Sequence, residues 1–497
     1  MSALLSVLRP FQRFYIPALV FLLAWAIWRT VWRKDLGVGL ALYLGLVIVV
    51  DGYLNTGIFL PGLEQGSIRY SEVCALFLFF NRPPAARRPS SSAALICFLV
   101  AAYFTLLFVS ALRSDPVMAG IFEFRRLIVP QIVAFMVAIR GVRSADDFRR
   151  FFLSVSALSL GLAVFVFWDL FFEVSLLRSD LLAKPEYFVN RQHGRFGSFF
   201  LNPNYLGAFT VLIFPAMFVW AVGEQRRSLK AAAATGLLSL AFCLVETQSR
   251  GPMLAFVIAL VLMLLGPGGG VSRARRVGLF LVFIAVFSVF MPGFLDHATE
   301  RFRELEEETT TEVARSRATA WLYTQRAIGD SPLAGIGFGE QQFLNAMTAY
   351  GFEATYGAAS VDNPHNSYLQ MAVYAGIPAL LVFVFANVVL LARAGWSILR
   401  RPLGAQRQFA FGLAVGVTAF LAVIYPDMHM FTLTVAPAYW LFFGLLFSLA
   451  FGTPAAASAA IAPESPLPAD ALRQAAARVR PLPGLVVRGA SPLGEPS

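Results

Sequence analysis

The sequence predicts an all-α polytopic membrane bundle of about 12 to 13 transmembrane helices with one large polar loop over about 294–365. Three observations predict it. The 497-residue chain is 58% hydrophobic and 14% charged, with a mean hydropathy of +0.67, far too apolar for a soluble globular protein. Apolar runs of about 18–22 residues recur along it, each long enough as a helix to cross ~30 Å of hydrocarbon. The segments between the runs alternate between short basic ones and ones poor in Lys and Arg for their length, which is how topology is encoded.

Taken in order, the runs place candidate spans near 14–30, 36–54, 68–81, 92–112, 117–139, 151–173, 203–222, 231–246, 252–266, 277–293, 366–392, 408–425 and 431–451. The run at 14–30 is followed by RTVWRK rather than a small-residue cleavage site, which favours a retained anchor over a signal peptide. RTVWRK (29–34), RPPAARR (82–88), RGVRSADDFRR (140–150), GEQRRSLK (223–230), GGVSRARR (269–276) and the 393–407 stretch are the basic connections, and the positive-inside rule assigns them to the cytoplasm. That assignment puts 52–67, 113–116, 174–202, 247–251, 294–365 and 426–430 on the outer face and the C-terminus inside. The two units expected are therefore a membrane bundle over 1–452 and an Ala/Pro-rich tail, 453–497. The tail has too little apolar surface to offset the entropy of ordering, and is expected to be disordered and cytoplasmic. Inside the large loop, HATERFRELEEETTTEVARSRATAWLYTQRAI (297–328) reads as helical, its acidic first half a solvated face.

A net charge of +11 does not imply nucleic acid, because the basic residues sit in topology clusters rather than in a patch interleaved with aromatics. Cys74, Cys97 and Cys243 lie in or beside apolar runs without paired spacing, so neither a disulfide framework nor a zinc site is indicated.

The polar residues of interest gather on the outer face. In VDNPHNSYLQ (361–370), one of only four histidines opens an inward-running helix, with Asn363 expected as N-cap, Pro364 at the first helical position and His365 in the first turn. There the positive dipole end disfavours a cation, so a neutral imidazole able to accept a proton is expected. FLNPNYLG (200–207), QSRGPMLAF (248–256) and RSDPVMAG (113–120) repeat the construction with Asn202-Pro203, Gly251-Pro252 and Asp115-Pro116. Each such helix start is suited to an anion. Arg191, Arg195, Arg250, Arg315 and Arg317 accompany them. Arg125 and Arg126 lie within an apolar run, where an unpaired arginine is costly, and Glu123 is their nearest partner in sequence. Taken singly, Arg250 reads equally well as an interfacial snorkelling residue and His365 as a polar helix start. Their convergence on one face, from a topology drawn without reference to them, favours a site offering cations, helix dipoles and one base.

RFGSFFLNPNYLG, ETQSRGP, RSRATAWLYTQRAIGDSPLAGIGFGEQQF and DNPHNSYLQMAVYAGIPALL, in that order and spacing, resemble the O-antigen ligase and polymerase family of bacterial inner-membrane proteins over about 190–395. The resemblance implies a glycosyltransferase, working without metal or cofactor, that uses glycans carried on polyprenyl (undecaprenyl) diphosphate at the periplasmic face. It implies that Arg195, Arg250 and Arg317 bind the donor diphosphate and that His365 is the catalytic residue, within the HN pair His365–Asn366. Asn366, Asp362, Arg125 and Arg126 are supporting candidates, Asp362 as a histidine partner or cap. PLAGIGFG (332–339) matches the family's Pro/Gly-rich turn, a fold element without its own chemistry.

The partners implied are a lipid-linked glycan donor, a glycan or lipid acceptor and membrane lipid, with no nucleic acid. Ligase and polymerase share the donor and differ in acceptor, so lipopolysaccharide assembly and exopolysaccharide chain growth both stay open. Transfer to protein is less favoured, because no large extra periplasmic domain follows the last spans. The alternative class is a membrane solute transporter, such as the bicarbonate-transporter-like relatives of the same family. A transporter should show ionisable or broken-helix features near the midplane.

Overall fold

The computed structural model describes residues 35–53, 57–60, 63–80, 91–141, 145–172, 190–266, 312–351, 363–401 and 404–451, with isolated positions before 35 and between 272 and 285. The 14–30 and 277–293 runs, the acidic half of the large loop, Asp362 and the 453–497 tail lie outside the described residues, apart from isolated positions in the two runs.

The described chain is helical apart from one hairpin. α1 (Leu36–Gly45) continues as a π-helical segment, Leu46–Tyr53. The antiparallel strands β1 (Gly57–Leu60) and β2 (Leu63–Arg69) lead into α2, Tyr70–Phe80. Then come α3 (Ser91–Leu112), α4 (Val117–Leu127), α5 (Val129–Gly141), α6 (Ala145–Phe172), α7 (Pro203–Gly223), α8 (Arg227–Thr247) and α9 (Arg250–Leu265). α10 (Glu312–Asp330) and α11 (Glu340–Ala349) precede α12 (Ser367–Arg400), α13 (Ala405–Val423) and α14 (Val435–Phe451).

Among these, six helices are long and apolar enough to cross a membrane: α3, α6, α7, α8, α12 and α13. Leu36–Gly52, α9 and α14 are shorter apolar helices. The chain is thus a helical membrane bundle, but two expected spans take a different form. The 68–81 run is the short α2 after a hairpin, and the 117–139 run breaks between α4 and α5 at Ile128.

α7 is the central helix, buried over nearly all its length. Small residues let its neighbours approach. A Cβ on Gly416 of α13 would sit 2.2 Å from the Leu212 carbonyl, and one on Gly236 of α8 would sit 2.7 Å from the Met217 methyl. In a bilayer, helix association depends on such close packing, because lipid tails are as apolar as the side chains. A second knot of packing surrounds Trp440 of α14, whose indole N–H donates to Gln131 Oε1 at 2.8 Å. Gln131 in turn donates to the Met430 carbonyl at 2.9 Å, tying α5 to the chain entering α14.

α12 is broken at Gly376 (φ +83°), where two helices join. The 331–340 loop fills the break. Ile336 N donates to the Val373 carbonyl at 2.8 Å, and Ile377 N donates to the Pro332 carbonyl at 2.7 Å. The α3 end holds the same loop: Arg113 donates to the Ala334 carbonyl at 2.7 Å, while Ser114 Oγ donates to the Phe338 carbonyl and accepts from its N–H, both at 2.9 Å. The PLAGIGFG turn is therefore a structural insert, its three glycines all at positive φ.

One end of the bundle is basic. Arg149 pairs with Glu224 at 3.1 Å and Arg150 with Asp35 at 2.7 Å. Arg226 and Arg227 start α8 and Arg400 and Arg401 end α12. α7 runs 21 residues from the opposite end to this one, a rise of about 30 Å.

Candidate functional site

At the end opposite the basic cluster, the starts of α7, α9 and α12 meet the α13–α14 connection. α7 begins as expected. Asn202 is its N-cap, accepting from Asn204 N at 2.9 Å, with Pro203 at the first helical position. This cap fixes Asn204 in the first turn, and Asn204 joins the site together. Its Nδ2 donates to Asp427 Oδ2 at 2.6 Å; its Oδ1 accepts from Arg195 Nη2 at 2.9 Å and from Ser249 Oγ at 2.7 Å. Arg195 also donates through Nε to the Thr247 carbonyl at 3.3 Å, laying it against the end of α8. Ser249 is the N-cap of α9, so Arg250 is that helix's first residue rather than preceding it.

α12 begins later than expected. Its N-cap is Asn366, whose side chain accepts from Tyr368 N at 2.9 Å and Leu369 N at 3.1 Å, and the helix starts at Ser367. Asn363 instead closes a local turn by accepting from His365 N at 2.8 Å. His365 therefore lies outside the helix in a left-handed conformation, φ +46°, and not in the first turn. The physical reason is Ser367. Its backbone N–H donates to the Ile424 and Asp427 carbonyls at 3.0 and 3.2 Å, so that amide is already used across the bundle. Its hydroxyl donates to the Asp427 carbonyl and accepts from His429 N, both at 2.9 Å. These bonds register the helix against the 424–430 connection.

His365 Nδ1 faces Asp427 Oδ1 at 3.7 Å, with the imidazole side chain 31% exposed. That distance is longer than a formed hydrogen bond. Burial alone would raise the Asp427 carboxyl. The facing His365 and His429 rings and the Met428 N–H outweigh burial and hold it well below the usual carboxylate range. His429 is fully buried against the Tyr205 ring, with Nε2 4.0 Å from Asp427 Oδ2. Burial lowers its pKa more than Asp427 raises it. Neither of its ring nitrogens has a hydrogen-bond partner among the described residues.

Other expected residues fall as follows. The Arg317 side chain lies outside the described residues, but its helix is pinned to the site: Trp321, one turn later in α10, donates its indole N–H to the Pro364 carbonyl at 2.7 Å. Glu123 is not the structural partner of Arg125, which pairs with Glu72 of α2 at 2.9 Å. The Glu123 carboxylate instead accepts from Glu340 N at 3.2 Å, at the start of α11. Arg126 borders a cavity of about 220 Å³ beside Asn363 and Met428. Among the described residues the carboxylate facing His365 is Asp427; Asp362, the nearest candidate in sequence, lies outside them.

Sequence reasoning missed Asn204, Ser249, Ser367, Asp427 and His429. The available signal was YPDMHM (425–430), a carboxylate and one of the four histidines within a short connection between two apolar runs.

Fold and site together define a multi-pass helical membrane protein whose arginines, histidine and buried carboxylate collect at one end. Residues 235–384 match the family model described as O-antigen ligase, a match that supports a likeness to the O-antigen ligase/polymerase family over that segment. That block holds Arg250, Arg317, His365 and Asn366, and the structure brings Arg195, Asn204 and Asp427 to it from outside. No curated protein matches the chain.

Proposed function

We propose that this end of the bundle transfers a glycan from a polyprenyl (undecaprenyl) diphosphate carrier to an acceptor hydroxyl at the periplasmic face of the bacterial inner membrane, without a metal. The observation that carries the proposal is the Arg195–Asn204–Asp427 chain of hydrogen bonds. It sets a guanidinium and a helix start beside the carboxylate that faces His365. The O-antigen ligase match supports glycan transfer in general.

The chemistry follows from the groups. In the donor, the sugar C1 is bonded to a diphosphate oxygen. The acceptor hydroxyl attacks C1, the C1–O bond breaks, and the polyprenyl diphosphate leaves with the electron pair. Arg195 and Arg250, with Arg317 from α10, stabilise that developing charge together with the positive dipole ends of α7 and α9. His365 takes the hydroxyl proton, and Asp427 opposite it orients the ring and balances the imidazolium. Attack in a single step inverts C1. The basic opposite end fits a cytoplasmic position, which leaves the His365 end periplasmic. Transport draws no support from the family match, and the break in α12 that would suggest it is filled by the 331–340 loop.

The test is glycan transfer in proteoliposomes supplied with lipid-linked glycan in the presence of EDTA, comparing parent, His365→Ala and Arg250→Ala. Transfer lost in both variants at equal protein level supports the proposal and identifies the acceptor, separating ligase from polymerase. Transfer by His365→Ala at the parental rate, or strict dependence of the parent on added metal, overturns it.

A further inference from the structure

The cavity of about 220 Å³ beside the site is not used by the mechanism above. It lies between α4, the start of α12 and the 431–434 segment, and its wall includes Glu123, Arg126, Tyr205, Asn363, Gln370 and Phe431. Gln370 is 3% exposed, and its Nε2 donates to the Tyr374 hydroxyl at 3.3 Å. Its Oε1 has no hydrogen-bond partner among the described residues. A buried amide oxygen without a donor is unfavourable, so this atom is set for a donor that arrives with a ligand.

The charges decide which ligand. Glu123 and Arg126 stand one turn apart on α4 and interact electrostatically, and the exposed Glu340 adds a second carboxylate at the rim. One guanidinium with two carboxylates repels a diphosphate, in contrast to the Arg195 and Arg250 side. Planar amide, guanidinium and carboxylate groups beside the Phe431 and Tyr205 rings match the alternating hydroxyl and C–H faces of a sugar. Asn363 and Met428 belong to the cavity wall, while His365 and Asp427, their near neighbours in the chain, form the cluster. The two sites share that wall.

We propose that this cavity binds a neutral, hydroxyl-rich sugar ring of the acceptor glycan, with Gln370 accepting from a hydroxyl and Arg126 donating to one. The assignment rests on the glycan-transfer reading given above.

The experiment uses the full-length protein in nanodiscs without donor. The probes are the oligosaccharide released from the cells' own lipid-linked glycan and the core oligosaccharide released from their lipopolysaccharide, both by mild acid and each read by saturation-transfer NMR; binding of either counts. The parent and Arg250→Ala are expected to show saturation transfer, reduced at least tenfold in Gln370→Leu and in Arg126→Met. Both of these variants are checked for unchanged thermal midpoint and monodispersity, and Arg126→Met serves if Gln370→Leu fails to fold. Inorganic diphosphate is expected not to displace the probe. Undiminished binding by both variants, displacement by diphosphate, or no binding by a parent that still transfers glycan overturns the subsite. Probe binding lost in the two variants, in a parent that transfers no glycan from any lipid-linked donor, keeps the sugar site and overturns the transfer reading alone.

Discussion

Replacing Asn204 by Leu, which keeps the side chain's branched shape and removes its polar contacts, tests whether the arginine and histidine halves act as one site. The substitution removes the 2.6 Å bond to Asp427, the 2.9 Å bond from Arg195 and the 2.7 Å bond from Ser249. Two of these involve an ionised partner, each worth roughly 1.5–3 kcal/mol, and the third is worth about 1 kcal/mol. Arg195 is half-buried and keeps its Thr247 bond, so its share belongs at the low end. At least about 4 kcal/mol of positioning is then lost, corresponding to roughly a 1,000-fold fall in transfer efficiency. The assay is initial-rate glycan transfer in proteoliposomes, with thermal unfolding in detergent as the control for folding. Transfer within about threefold of the parent by a folded Asn204→Leu protein would refute the reasoning, because the hydrogen-bond chain would then be scaffolding. Asn204→Asp offers a sharper variant. It places a second carboxylate against Asp427, and the two share a proton, so activity should recover partly as pH falls.

Three further outcomes are expected. Asp427 has a depressed folded pKa, so its contribution to stability is present above the unfolded carboxylate value of about 4 and is lost as pH falls through the folded value; the thermal midpoint of Asp427→Asn should lie below the parent at pH 7, with the gap narrowing in strong acid. Gly376→Ala puts a methyl 2.3 Å from the Leu333 carbonyl at φ +83°, so it should cost at least about 1–3 kcal/mol and expose the 331–340 loop to limited proteolysis; parental stability would show that the break is not needed. For topology, a cysteine at the 75% exposed Leu333 should react with an impermeant maleimide in cells with permeabilised outer membranes, and one at exposed Gln225 only after the inner membrane is broken; the reverse pattern would invert the proposed orientation.

The legible features were the local ones. Hydropathy follows from composition within a single run, so apolar helices could be read without knowing their neighbours. The α7 start could be read too, because Asn202 and Pro203 form a cap within one turn. The basic end is a matter of charge position along the chain. The site was legible only by halves. Arg195, Arg250 and His365 lie in segments that the positive-inside rule gathers on one expected face, but nothing local joins them.

Tertiary structure decided the joins. His365 meets Asp427 across 62 residues and Asn204 meets it across 223, distances over which no periodicity carries information. The start of α12 went to Asn366 rather than Asn363 because Ser367 is committed to the 424–430 connection. Arg125 went to Glu72 because α2 packs beside it, leaving Glu123 to cap α11. Sequence by itself determined that apolar helices long enough to cross a bilayer recur along the chain, since that depends on the free energy of single segments. Which carboxylate faces the histidine depends on how those segments pack, and only the assembled bundle decides it.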